Sequence, residues 1–231
     1  SFARMYVWTG DAQGNFTLQS QKNIVAQPNE IFVGNIDDSG YPDVAWVISS
    51  SGSVGSLIDT AQFAFDVADR STAFGAASSG ILADFDEDGT ADLFAGCYAE
   101  GYVTLLKGNG DGTFGPLELR TNGFAKGLVV EDFDGDNHAD IVTATSSIGF
   151  QLGFMKGNGD GTFLPTVNFP TNSASEDLQA IDVDGDLDLD VAIVTYSGSL
   201  LIQHNDGSGN FGDEDVYTTT NSGGDRKLVV G

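Results

Sequence analysis

One cysteine, two methionines, two histidines and five prolines are all that 231 residues contain of these types, and 9 lysines and arginines face 34 aspartates and glutamates. Each scarcity excludes something. A single cysteine, Cys97, rules out a disulfide framework within the chain; in its apolar strand pattern it is expected as a small buried hydrophobe. A net charge of −25 excludes nucleic acid as a partner, because phosphate binding needs a positive footprint. No apolar run approaches the roughly 18 residues of a transmembrane helix, so no membrane insertion is expected. His138 and His204 make neither a zinc site nor a nucleophile–base pair. No phosphate-cradling loop leads into a helix, and the chain is not expected to be an enzyme. It begins Ser1-Phe2-Ala3-Arg4, without a start methionine or signal peptide, and is expected to be a processed or truncated product.

What is present is acid, glycine and a packed-core share of apolar residues. Strong acidity alone can mean disorder, but 40% hydrophobic and 10% aromatic residues predict a folded core instead. Of the 34 acids, 17 fall in four nine-residue stretches. The clearest is Asp84-Phe85-Asp86-Glu87-Asp88-Gly89-Thr90-Ala91-Asp92. Carboxylates at its first, third, fifth and ninth positions can converge on one hard cation, with the carbonyl of Thr90 adding an oxygen. Ca²⁺ takes about six to eight oxygens, and closely spaced aspartates supply them with little loop entropy. Gly89 suits the sharp turn at the sixth position. The spacing is that of the first half of an EF-hand, but no glutamate follows at the twelfth position and no amphipathic helix flanks it. Apolar runs on both sides predict two strands joined by a metal-holding hairpin.

The pattern recurs from Asn35, Asp84, Asp132 and Asp182, spaced 49, 48 and 50 residues apart. A fixed period of this length marks a repeat architecture. A second motif keeps step with it: Gly108-Asn109-Gly110-Asp111-Gly112-Thr113-Phe114 recurs at Gly157–Phe163, more weakly at Asn205–Phe211, and around Thr9–Phe16. Such a density of Asn, Asp and Gly predicts tight hairpins. The first full repeat lacks a clean copy; Leu57–Phe63 keeps only Phe63. Phe16, Phe63, Phe114, Phe163 and Phe211 are expected to pack between adjacent sheets. Each repeat reads as four short strands, in the second at roughly 80–83, 92–97, 102–107 and 113–120. A four-stranded unit at this period predicts an all-β propeller of antiparallel blades occupying residues 1–231 as one domain.

The paired motifs resemble the FG-GAP/VCBS repeat, a family that includes the propeller of integrin α subunits, bacterial surface proteins and some fungal lectins. The resemblance covers essentially the whole chain. It implies two to four Ca²⁺ ions in the loops between first and second strands. Carried over by position, the ligands are Asp84, Asp86, Asp88 and Asp92 in loop two, Asp132, Asp134, Asp136 and Asp140 in loop three, and Asp182, Asp184, Asp186 and Asp190 in loop four. Loop one offers Asn35, Asp37, Ser39 and Asp43, with two neutral groups replacing carboxylates. The seventh positions, matching Thr90, are Tyr41, His138 and Asp188. Asn137 replaces the glycine in loop three and tolerates a left-handed backbone; Leu187 in loop four does so poorly. A metal-free reading stays open, because these side chains also close Asx-type turns by themselves.

About five repeats are visible, one of them split between the ends. Asp225–Gly231 reads as a first strand that stops before its loop, while Ser1–Phe16 resumes at the equivalent of Ala99. The equivalent of 84–98 is absent, so a self-sufficient ring of five complete blades is not expected; a further segment or a neighbouring chain would complete it. The face opposite the metal loops carries Tyr98, Glu100 and Tyr196, together with Asn122, Asn172 and Asn221 of the inter-blade connections. These can stack on and hydrogen-bond a sugar or face a protein. The expected function is non-catalytic extracellular recognition or adhesion, at the cell surface or secreted, of a glycan or a protein partner. The alternative is the accessory or catalytic propeller of a polysaccharide-degrading enzyme, for which no carboxylate pair stands out beyond the loops.

Overall fold

The computed structural model describes residues 3–24, 26–37, 39–60, 65–68, 77–97, 102–117, 125–145, 149–218 and 228, and every regular element among them is a strand. The chain starts with a hairpin, β1 (Ala3–Gly10) and β2 (Phe16–Ile24). The first four-stranded sheet follows as β3 (Glu30–Gly34), β4 (Asp43–Ile48), β5 (Ser53–Asp59) and β6 (Phe65–Ala68). The second is β7 (Ala77–Ala83), β8 (Asp92–Cys97), β9 (Tyr102–Gly108) and β10 (Phe114–Leu117). The third is β11 (Ala125–Glu131), β12 (Asp140–Thr145), β13 (Gln151–Met155) and β14 (Val167–Pro170). The fourth is β15 (Ser175–Ile181), β16 (Asp190–Thr195), β17 (Leu200–Asn205) and β18 (Phe211–Tyr217). All pairings are antiparallel between chain neighbours, so each sheet is a meander.

The second strand of each four-stranded sheet is among its most buried, and its sequence says why. Asp43–Ile48 and Asp190–Thr195 are short runs of Val, Ile, Ala and Trp with apolar residues on both faces, as a strand sandwiched between two neighbouring sheets requires. Four apolar clusters fill the gaps in chain order. Met5 and Ile24 pack on Trp46 and Leu57; Ile36, Val47 and Ile58 on Leu93 and Phe114; Phe85 and Phe94 on Ile141 and Met155; Phe133 and Phe154 on Leu201 and Phe211. The first strands line up, with β7 against β3 and β11, and β11 against β15. This radial succession is that of propeller blades. The described sheets do not close into a ring.

The recurring phenylalanine does its expected work in three sheets. Phe114 and Phe211 are buried and Phe163 is partly buried, each packed on the sheet before it. Its partner across each gap is the second residue of the preceding loop, Ile36, Phe85 or Phe133; Phe85 and Phe163 centre 5.8 Å apart, Phe133 and Phe211 5.7 Å. One expectation needs correction. Phe16 is 71% exposed, because no described sheet precedes its hairpin to cover it. In the first repeat the register sets Phe65 opposite Asp59, as Phe114 sits opposite Gly108, so Phe65 is the equivalent residue. Phe63 lies outside the described residues.

Candidate cation loops

The four acidic loops join first to second strands, at the same end of the sheets as the Gly-Asn-Gly-Asp-Gly-Thr-Phe hairpins. The two motifs touch: the Gly161 N–H donates to the carbonyl of Phe85, and Asn205 Nδ2 donates to that of Phe133 at 2.7 Å. Each hairpin therefore sits beside the loop of the preceding sheet.

Within each loop the aspartates divide into three jobs. The ninth-position carboxylate is a staple. One oxygen of Asp43, Asp92, Asp140 and Asp190 accepts the N–H of the second loop residue (Ile36, Phe85, Phe133, Val183). The other accepts an N–H at the end of the third strand (Asp59, Gly108, Gly157, Asn205), all at 2.7–3.1 Å. These four side chains are buried. Burial pushes Asp140 up to about 6, and raises Asp43 and Asp92 as well, with the two N–H donors pulling the other way. Beneath the staple the backbone is tight: a Cβ on Gly157 would lie 2.2 Å from the carbonyl oxygen of Ala139.

The first-position carboxylate folds the loop over itself. Asp132 accepts the N–H groups of Gly135 and Asn137, Asp182 those of Gly185 and Leu187, and Asp84 that of Gly89. The fifth-position side chain closes an Asx-type turn on the seventh N–H: Asp88 to Thr90, Asp136 to His138, Asp186 to Asp188, and the Ser39 hydroxyl to Tyr41. The sixth residue is left-handed in every loop, at φ 81° for Gly40, 90° for Gly89, 69° for Asn137 and 82° for Leu187.

The same carboxylates also converge. Carboxylate oxygens of Asp84, Asp86 and Asp92 lie within 4.8 Å of one another; so do those of Asp132, Asp134 and Asp136, and those of Asp182, Asp184 and Asp186. Loop one gathers no such trio among the described residues: Asp37 caps Ser39, whose hydroxyl lies 3.4 Å from the Asp59 carbonyl. One oxygen each of Asp84, Asp86 and Asp134 is buried with no hydrogen-bond partner, and the Asp134 side chain is only 7% exposed. A buried carboxylate oxygen left unpaired is costly, and it is the lone-pair arrangement a hard cation takes up.

Three residues unremarked in the sequence join these loops. Lys107, at the end of β9, sets its ammonium on Asp86 and Asp88; Lys156, just past β13, does the same with Asp134 and Asp136. The carboxylates hold both ammoniums above the usual lysine range, Asp86 and Asp134 contributing most, and Lys107 and Lys156 in turn lower Asp88 and Asp136. The signal was a lysine directly before the hairpin motif in both repeats. Glu87 reaches across to His138 at 2.5 Å, tying loop two to loop three and raising the imidazole's pKa. In loop four, His204 takes the place of the lysine, 3.9 Å from Asp184 and 3.7 Å from Asp190.

On the opposite face, Tyr196 is exposed on a turn fastened by the Thr195 hydroxyl, while Asn172 is held by Glu214 through its backbone N–H at 3.2 Å and its side-chain amide. Tyr98, Glu100, Asn122 and Asn221 lie outside the described residues. No helix among the described residues is long and apolar enough to cross a membrane.

Radially stacked four-stranded antiparallel sheets with acidic loops at one end define a β-propeller. Its sequence matches the FG-GAP-like repeat over residues 84–143 and again over 132–193. Among solved structures, the chain is similar to BBS1N in complex with ARL6DN from a lead-soaked crystal, at 10% identity and TM-score 0.60 over 86% of this chain and 59% of that one. The mercury-soaked form gives 10% identity and TM-score 0.55 over 83% and 54%. The WD40 domain of SCAP from fission yeast aligns at 14% identity and TM-score 0.49 over 85% and 50%. The chain thus spans little more than half of the BBS1N chains it matches. No curated protein matches the sequence.

Proposed function

We propose that this propeller is a non-catalytic, Ca²⁺-binding recognition module of the extracellular space or cell surface, binding a protein partner through the face opposite its cation loops. The observation that carries the cation reading is the buried, unpaired oxygen of Asp134 beside Asp132 and Asp136. Asp132, Asp134 and Asp136 would hold the ion in loop three, Asp84, Asp86, Asp88 and Asp92 in loop two, and Asp182, Asp184 and Asp186 in loop four. A bound Ca²⁺ supplies charge neutralisation and loop rigidity. Loop one, with fewer charges, is the weakest candidate.

Support for the recognition face is the exposure of Phe150 and Tyr196, both in turns between second and third strands. BBS1N, on a similar fold, is recorded with a protein, ARL6DN. A glycan ligand is tested alongside. Melting in millimolar Ca²⁺ and in chelator checks the first claim, since a ligand that prefers the native state raises the melting temperature. A rise of several degrees, reduced in Asp134→Asn, is expected; identical melting curves and identical proteolysis in both buffers would end the cation reading. Glycan arrays and a polysaccharide-degradation assay on the same protein check the second, and turnover of any polysaccharide would replace recognition with catalysis.

A further inference from the structure

Loops two and three already contain a cation of the chain's own. Lys107 Nζ lies 2.9 Å from Asp88 Oδ2 and in contact with Asp86 Oδ2; Lys156 Nζ lies 2.8 Å from Asp136 Oδ2 and in contact with Asp134 Oδ2. Each ammonium bridges the third- and fifth-position carboxylates, two of the groups a divalent ion needs. In both loops it leaves the other oxygen of the third-position carboxylate, Asp86 Oδ1 or Asp134 Oδ1, buried and unpaired. Among the described residues, the remaining loops lack this device. The N–H stapled by the ninth-position aspartate belongs to Gly108, Gly157, Asp59 and Asn205. The residue before each is Lys107, Lys156, Ile58 and His204. Ile58 is buried in the apolar core, and His204 stands 3.7 Å or more from the Asp184 and Asp190 carboxylates.

Resting on the cation reading above, we propose that Lys107 and Lys156 are tethered competitors that set the affinity of loops two and three: a divalent cation gains the third- and fifth-position carboxylates only by displacing the ammonium. Affinity in oxygen-ligand sites follows the net ligand charge, and an ammonium a few ångströms from a divalent ion opposes it strongly even at the effective dielectric of a protein surface. The tether keeps the competitor at high effective concentration, so no dilution removes it. Loops two and three are thereby tuned to bind cation weakly and reversibly, despite four or five acids each. The lysines also compensate charge: without cation they stabilise the carboxylates they touch.

The test is titration of Ca²⁺ by calorimetry into the wild-type chain and into Lys107→Met, Lys156→Met and the double variant, with Lys22→Met on β2 as the control for lost net charge. We expect each loop lysine's removal to tighten one site by about tenfold or more, and Lys22→Met to leave the affinities within about twofold. Melting adds a second readout: the loop variants should melt lower than wild type in chelator yet gain more from Ca²⁺. Unchanged or weaker Ca²⁺ binding in the loop variants, or equal tightening by Lys22→Met, overturns the competitor role while leaving the cation sites standing. Absence of Ca²⁺ binding from every protein, variants included, overturns both.

Discussion

Leu187 is the residue least suited to its position. It sits at φ 82° with 88% of its surface exposed, in the place filled by Gly40, Gly89 and Asn137 in the other loops. An L residue in this conformation costs about 1–2 kcal/mol, part of which glycine forfeits through the greater freedom of its unfolded chain. No packing is lost on removing so exposed a side chain. Leu187→Gly should therefore stabilise the protein by about 0.5–1 kcal/mol in chelator, read from urea denaturation. A destabilised variant would mean that the Leu187 side chain makes a stabilising contact in the folded protein. The left-handed backbone was foreseeable from the sequence, since the loop's position in the repeat demands it. That loop four nonetheless folds like loops two and three, bringing Asp182, Asp184 and Asp186 together, was not: Asp182 receives two loop N–H groups, and this local pairing outweighs the strain.

At the scale of the element, the ninth-position aspartate joins the second strand to the loop before it and to the end of the third strand. The period and the acid spacing revealed that this residue recurs, but gave it the same part as its neighbours. The staple was hidden because its partners are backbone N–H groups 7 and 15–17 residues away, and backbone donors have no sequence identity. The lysines were hidden for a related reason: Lys107 is 21 residues from Asp86, so only the meander's register brings them together. Asp140→Ala should cost about 2–5 kcal/mol, because it leaves two buried N–H groups unpaired and opens a small void. Its pH dependence has a definite sign. Folding raises the carboxyl from 3.8 to about 6, so protonation is favoured in the native state. The group's contribution to stability is full below about pH 4 and is lost as pH rises through about 6. In chelator, wild type should accordingly lose stability relative to the non-titrating Asp140→Asn across that interval. A constant difference between the two unfolding free energies would show that Asp140 titrates alike in both states.

For the whole molecule the governing quantity is charge. The fold was legible because a propeller repeats its logic: three successive gaps each pair a hairpin phenylalanine with a loop residue, and Phe114, Phe163 and Phe211 recur with the period. Phe16 and Val183, which is 44% exposed, are left over at the two ends of the described stack, where no periodic argument can assign a neighbour. Against this apolar stack works a net charge of −25, with half the acids crowded at one end of the sheets. Self-repulsion of that size destabilises a compact state. Monovalent salt, which shortens the Debye length from about 30 Å at 0.01 M to about 3 Å at 1 M, relieves it without occupying an oxygen-lined site. The same salt weakens the Lys107 and Lys156 ion pairs, yet these are few and partly sheltered, whereas the repulsion sums over an excess of 25 like charges. The melting temperature in chelator should therefore climb steadily with NaCl, and the increment produced by Ca²⁺ should shrink in parallel, since part of its benefit is the same relief. A melting temperature that falls with salt would place the ion pairs, and not the repulsion, in control of this fold.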